Sequence, residues 1–352
     1  VITIINEERR KLSQEEFNAI MKEHAAWQYD DDTGTRAEFC GVDLTQCDLT
    51  KRDLSHCIFR NANLKSVNFE GSDLRFTTFA SCNLNGIKAK DADFSESVFK
   101  YCNISNCECE ASNFTLANFE YVSLFDSDFV NASFGEAILE ACTLRDSLLS
   151  SADFSRSEIA HCHFSRSTLK GASFQFACVK NTSFQSAFLQ NVDFRNALLG
   201  DVDFSDSCIF NVDVSGANVF DCNFLNTKIK DTALAVLYAG YYTVVFMKSE
   251  MLIGCIKKTY SDWLEVDEVE AESLCVNDGG DFFKTWREPL FKIRHSLISI
   301  LGEVPGELPQ SDNPMENFLQ IEGVSKNGLD QRDINIQARG RAYRMIQEPS
   351  NN

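Results

Sequence analysis

From Ala37 onward the sequence counts in fives, and no other property restricts the fold so severely. The frame AEFCG, VDLTQ, CDLTK, RDLSH, CIFRN, ANLKS runs without a slip to Asp231, which makes 195 residues or 39 consecutive pentads. The third residue of the pentad is large and apolar. Between Phe39 and Ile229 it is 17 times Phe, 13 times Leu, 4 times Ile and 3 times Val, with Ala89 and Cys109 as the departures. The first residue is Ala, Cys, Ser, Val or Thr in 37 of 39 pentads, Arg52 and Ile87 being the exceptions. The second is rich in Asp and Asn, and the fourth and fifth are mixed and polar. An α-helix repeats every ~3.6 residues and a strand every ~2, so neither alone explains a period of five. Short extended segments with a corner in every pentad do explain it, provided that successive coils stack and bury one another. Strand alternation then points the first and third residues to the same side. The large one fills the interior and the small one fits where the wall bends.

This pattern resembles the pentapeptide repeat family, consensus A(D/N)Lxx, over 195 of the 352 residues. The resemblance implies a mainly β fold: a right-handed quadrilateral β-helix with four pentads per coil, so that 39 pentads make just under ten coils. At ~4.8 Å per coil the rod would be roughly 47 Å long. Residues twenty apart then stack in columns, which places Cys82 under Cys102 and Cys142 under Cys162. Parallel side-chain vectors do not favour a disulfide. The cysteines are read as small buried hydrophobes in the place of Ala. Together with the absence of a cationic leader followed by an apolar stretch, they lead us to expect a reducing, cytoplasmic location.

The flanks differ in composition. Residues 1–36 are expected to form a helical N-terminal cap, because Ser13-Gln14-Glu15-Glu16 is a capping box followed by Phe17, Ile20, Met21, Ala25 and Trp27. A helix over 14–28 would cover the open end of the first coil. The solenoid occupies 37–231. Residues 232–301 read as a small α+β module: a hairpin of 241–246 with 251–256 around Lys248-Ser249-Glu250, a helix from Ser261 to Leu274, and two helices over 281–288 and 289–301. Residues 302–352 read as a linker and acidic tail, with a short helix over 334–346.

Catalytic constellations are scarce. The five histidines are His24, His56, His161, His163 and His295. His161-Cys162-His163 invites a metal-site reading, but in the pentad frame the sulfur points inward and both rings outward, whereas ligands must converge. Cys107-Glu108-Cys109 fails similarly. We expect no enzyme, no cofactor and no metal.

Charge is the remaining signal. The chain carries 52 acidic and 33 basic residues, net −19, which disfavours direct binding to nucleic acid or to an anionic membrane. The longest weakly polar run, 232–246, is too short to span a bilayer. The solenoid holds 26 acidic and 16 basic residues. An acidic belt of Glu108, Glu110, Glu120, Asp126, Asp128, Glu136 and Glu140 lies in a stretch, 101–144, without Lys or Arg. One face carries the second-position column Asp53, Asp73, Asp93, Asp153, Asp193 and Asp213. Resemblance to the family implies one use for such charge: some members imitate DNA and occupy the basic cleft of a DNA-handling enzyme. The competing account is that Asp serves the turns as the repeat consensus. Duplex DNA would carry roughly 28 charges over such a rod, against a net of 10 in this solenoid. The mimic is therefore dilute.

Outward apolar residues support a second class of function. Tyr101 and Tyr121 share a face one coil apart, and Leu198, Phe210, Phe220 and Leu225 crowd the C-terminal end. They point to docking of the 232–301 module or to self-association, and family resemblance implies a homodimer through that end. Two functions are thus expected. One is a non-enzymatic, protein-binding acidic rod directed at a DNA-binding enzyme. The alternative is an architectural scaffold whose rod is a rigid spacer and whose ends mediate assembly.

Overall fold

The computed structural model describes residues 9–30 and 32–230, most of 232–266, Leu290, and the backbone of 343–345. The chain divides into two compact units, Val1–Phe188 and Leu189–Asn352. The solenoid is the mainly β, right-handed pentad coil that the repeat demands.

In the first unit the backbone repeats every twenty residues. Three-residue strands at Glu38–Cys40, Ile58–Arg60, Thr78–Ala80 and Val98–Lys100 pair in parallel, and the series continues through Asn118–Glu120, Ile138–Glu140, Glu158–Ala160 and Cys178–Lys180. The register is strict: Phe39 faces Phe59, and Phe59 faces Phe79. This is the first of four faces; the others begin at Val42, Cys47 and Arg52 and are joined by single bridges with the same offset, such as Asp43 to Asn63 and Asp53 to Asp73.

Third residues are buried throughout and first residues in all but Val42 and Arg52, which are half-buried, as alternation requires. On the first face Phe59, Phe79, Phe99 and Phe119 stack with ring centroids 4.8–4.9 Å apart. On the fourth face Phe94, Phe114, Phe134, Phe154 and Phe174 stack at 4.8–5.0 Å. These spacings are the rise of one coil, so in-register coils force like rings into ladders.

The corners have a common device. Of the 38 fifth positions between Gly41 and Asn226, all but Gln46 have positive φ. The left-handed conformation turns the chain and leaves the fifth side chain outside. Gly, Asn and Asp tolerate it best, and they fill 20 of the 39 fifth positions in the sequence.

Helix α1 (Gln14–Tyr29) closes the first coil. It begins with the expected capping box, in which Ser13 accepts from the Glu16 amide and the Glu16 carboxylate accepts from the Ser13 amide. Burial of Phe17 docks it, and the Phe17 ring stacks on Phe39 at 5.4 Å, so the helix extends the first-face phenylalanine ladder by one rung. The second buried residue is His24, not the expected Ala25. A short strand, Arg10–Lys11, pairs with Val42–Asp43 and covers the adjoining edge.

In the second unit, parallel pairing continues between Leu198–Gly200 and Asn218–Phe220 and between Cys208–Phe210 and Lys228–Lys230. After it comes an antiparallel sheet. The expected hairpin is Tyr242–Met247 with Glu250–Ile253. Strands Leu234–Ala239 and Ile256–Thr259 flank it, and neither was foreseen. Helix α2 (Tyr260–Glu265) starts at Thr259, not at Ser261: the Thr259 hydroxyl accepts from the Asp262 amide at 3.1 Å. Its Trp263 is buried and donates from Nε1 to the Met251 carbonyl at 2.7 Å. Residues Tyr343–Met345 form a strand parallel to Leu234–Ala239, where a helix was expected. Of the helices expected over 281–288 and 289–301, Leu290 alone is described, helical and buried; the other residues of both, and the rest of the tail, lie outside the described residues.

Candidate protein-binding surface

Each second-position Asp serves its own turn before it presents charge. The Asp53 Oδ1 accepts from the Ser55 amide at 3.0 Å and from its hydroxyl at 2.7 Å. Asp93, Asp153 and Asp213 accept from the amides of Ser95, Ser155 and Ser215 at 2.9–3.0 Å. These are Asx turns, which hold the backbone two residues on. Asn113 makes the same bond to the Thr115 amide, so the turn needs the carbonyl-type oxygen and not the charge.

The column is real, but part of its charge is answered. Asp73 accepts from the Arg75 amide and pairs with the Arg75 guanidinium at 2.7 Å, and Asp193 does the same with Arg195. Arg195 also approaches Asp213 at 3.7 Å. Burial opposes ionisation of Asp73, but the Arg75 hydrogen bonds outweigh it and hold the carboxyl below its usual range. Asp53, Asp73, Asp93 and Asp153 share the fourth face of the first unit, and Asp193 is the bridge partner of Asp213 in the second.

The acidic belt is spread around the coil instead of gathered. Glu108, Glu110 and Asp128 lie on the third face, Glu120 and Glu140 on the first, and Asp126 and Glu136 at left-handed corners. Three are neutralised from one coil below: Lys88–Glu108 at 3.3 Å, Lys90–Glu110 at 3.1 Å and Lys100–Glu120 at 2.6 Å. Among the described residues no ion pair reaches Asp126, Asp128, Glu136 or Glu140, and Asp128 accepts only in its own turn, from the Val130 amide. The lysines 88, 90 and 100 precede the cation-free stretch, so counting charge along the sequence overstated its free acid.

The outward apolar residues fall into two groups. Leu198, Phe210, Phe220 and Leu225 are only half-exposed. Phe220 lies over Gly200, where an added Cβ would collide with the ring, so the glycine is the seat of that phenylalanine. In the first unit, Tyr101, Leu116, Tyr121, Ile138, Leu148 and Phe176 are exposed. Tyr101 and Tyr121 stack at 5.3 Å with nearly parallel rings.

The first-position Cys and Ser side chains do more than fill space. The Cys82 thiol donates to the Phe59 carbonyl at 3.3 Å and Cys102 to the Phe79 carbonyl at 3.4 Å. Ser72 and Ser167 reach the equivalent carbonyls of Leu49 and Leu144 at 2.5 and 2.6 Å. An offset of 23 residues recurs in every case: one coil down, the small polar group satisfies a wall carbonyl. The interchange of Ser, Thr and Cys at this position was the available signal. All twelve described cysteines are free.

His161 sits at a left-handed corner and His163 on the exterior, while Cys162 is buried. Among the described residues no three His, Cys, Asp or Glu side chains are placed to hold a metal, and no helix is long and apolar enough to cross a membrane.

A family model agrees with this architecture. The family model "Pentapeptide repeats" matches in eight copies, over residues 37–75, 53–86, 92–131, 127–159 and 147–185. Among solved structures, HetL, a pentapeptide repeat protein involved in heterocyst differentiation regulation from the cyanobacterium Nostoc, is 17% identical. The match covers 53% of this chain and 90% of HetL, with a TM-score of 0.25. Full-length QnrB1, a plasmid-mediated fluoroquinolone resistance protein, is 18% identical, with 53% and 92% covered and a TM-score of 0.27. A pentapeptide repeat protein of the Arabidopsis thaliana thylakoid lumen is 25% identical, with 31% and 65% covered and a TM-score of 0.16. No curated protein matches significantly.

Proposed function

The chain belongs to the pentapeptide repeat family, and from that premise we propose a non-enzymatic, protein-binding solenoid that presents an acidic surface to a basic, DNA-handling protein in the cytoplasm. The observation that carries this reading is the unpaired set Asp126, Asp128, Glu136 and Glu140, which rings the coil within fifteen residues of chain and has no cation partner among the described residues. A cleft built for phosphates is attracted to such a surface, and the attraction is screened by salt. Direct contact with nucleic acid is disfavoured by the same charge.

The test separates charge from fold. Asp126→Asn, Asp128→Asn and Glu136→Gln remove three charges, and Asn at position 128 retains the Asx turn. The wild-type chain and the triple variant are used to capture proteins from a lysate at low and high salt. Wild type is expected to retain a DNA-binding enzyme that salt or added duplex DNA releases, and the variant to retain much less. Equal capture by both, or a salt-resistant homo-oligomer with no such partner, would refute the reading in favour of the architectural one.

A further inference from the structure

The stacked tyrosines have a gap beside them. The fifth-position column at the end of the first face reads Ser81, Tyr101, Tyr121, Ala141, His161. All five have φ between 54° and 55°, so the same corner is repeated five times and each Cβ leaves it in the same sense. Tyr101 and Tyr121 use that repetition to stack, yet they remain 60% and 54% exposed. At the next rung the side chain is a methyl group. One face of the Tyr121 ring is therefore left without an aromatic neighbour, and the following ring position is that of His161, two coils away.

The gap has the size and charge of a particular guest. Two coil rises separate the Tyr121 and His161 corners by about 10 Å, and a planar group in contact on both sides needs about 7–8 Å. The residue preceding Ala141 is Glu140, whose backbone carbonyl accepts from the Tyr121 amide at 3.0 Å. Its strand neighbour Glu120 is held by Lys100 at 2.6 Å, whereas no ion pair reaches Glu140 among the described residues. Two residues before Glu140 on the same strand, Ile138 adds an exposed apolar edge. A flat cation with apolar faces suits this surroundings: the guanidinium stacks on tyrosine and bonds a carboxylate in its own plane, which a lysine ammonium cannot do.

We propose that Tyr121, Ala141, His161 and Glu140 form a receptor for one arginine side chain of the basic partner, inserted as the missing rung of the tyrosine ladder. The proposal rests on the acidic-surface reading and adds a definite contact to it. Arginine chemistry, not net positive charge alone, would decide which basic segments bind.

Two fluorescently labelled peptides of equal length and charge, an Arg-Gly repeat and a Lys-Gly repeat, are titrated with the full chain by anisotropy. The Arg peptide is expected to bind about three- to ten-fold tighter than the Lys peptide. Tyr121→Ala removes the stacking face, and Ala141→Tyr fills the gap with a residue that two neighbouring rungs already carry. Both are expected to bring the Arg peptide down to the Lys level with unchanged far-UV circular dichroism, while Tyr121→Phe retains the preference and Glu140→Gln weakens it. Equal affinities for the two peptides, with salt-sensitive binding unaffected by Tyr121→Ala, would overturn the arginine site and leave the acidic-surface reading standing. No binding of either peptide at low salt would overturn both.

Discussion

Replacing Phe114 by Ala should remove more stability than almost any other single truncation in the solenoid. Its ring is 1% exposed. It stacks on Phe94 at 5.0 Å and on Phe134 at 4.9 Å, and meets Phe119, Phe129 and Phe99 edge-on at 5.6, 6.1 and 6.3 Å. A buried Phe→Ala change costs about 3–5 kcal/mol from lost transfer and the cavity left behind. Each ring pair adds ~0.5–1.5 kcal/mol beyond area, and five are lost, so the expected cost lies at the top of that range, about 5 kcal/mol. Strict register prevents collapse, because a coil cannot shift without breaking its ladders on both sides. Guanidinium unfolding followed by far-UV circular dichroism is the assay. With a slope of about 4–6 kcal/mol per molar, the midpoint should fall by about 1 M. Phe114→Leu retains most of the volume and should cost less than about 1.5 kcal/mol. If Phe114→Ala costs no more than Phe114→Leu, the interior is compliant and the picture of a rigid, ring-packed core is wrong.

Three further outcomes are expected. Buried His24 bonds the Ser55 carbonyl through Nε2 at 2.8 Å and accepts the Ala37 amide at Nδ1 at 3.2 Å, an arrangement only the neutral ring satisfies. Desolvation lowers its pKa from the ordinary 6.5, so its contribution is complete above that value and declines as the pH falls through it. Amide exchange of α1, corrected for intrinsic rate, should show weaker protection at pH 5.5 than at 7.5 in wild type. In His24→Leu the protection should not change between these pH values, and a flat wild-type profile would refute the assignment. Gly200→Ala should cost about 1–3 kcal/mol by displacing the Phe220 ring, and Phe220→Leu in the same chain should restore most of it; purely additive losses in thermal denaturation would contradict the seat. Among described cysteines, maleimide followed by mass mapping should label exposed Cys40 first, Cys178 and Cys208 more slowly, and Cys222 only on unfolding, since burial pushes its thiol up to about 12. Fast labelling of Cys82 or Cys102 in the native protein would mean that the wall opens.

Much of the fold could be read because one residue spacing governs it. Alternation placed Phe39 and its successors inside, and the capping box located the start of α1. His24 escaped notice because a histidine on a helix face carries no pattern of its own; its role depends on a carbonyl at Ser55 and an amide at Ala37, which only the docked helix brings together. The left-handed corners were legible in principle, since Gly, Asn and Asp crowd the fifth position. Tyr101, Tyr121, Leu116 and Phe176 obscured that signal by occupying the same conformation at a steric cost. The strands at Leu234–Ala239 and Ile256–Thr259 lack a repeat to announce them, and short apolar runs do not distinguish strand from helix.

The candidate surface was legible as composition but not as electrostatics. Lys88, Lys90 and Lys100 lie twenty residues before the glutamates they neutralise, so a linear charge count assigns cation and anion to different stretches, while the coil sets them side by side. The same geometry explains why the aspartate column has two roles that no sequence pattern separates. One oxygen of each carboxylate is committed to its turn, and the charge remains on the exterior whether or not a partner uses it. Asn113 is the natural control: it makes the turn bond without the charge, in the same column as Asp93. Carrying that exchange to Asp53, Asp93 and Asp153 should leave the coil folded and its melting temperature nearly unchanged. Any loss of partner binding in such a chain would then belong to charge alone. A chain that binds as before would assign the column to the turns and leave Asp126, Asp128, Glu136 and Glu140 as the acids that matter.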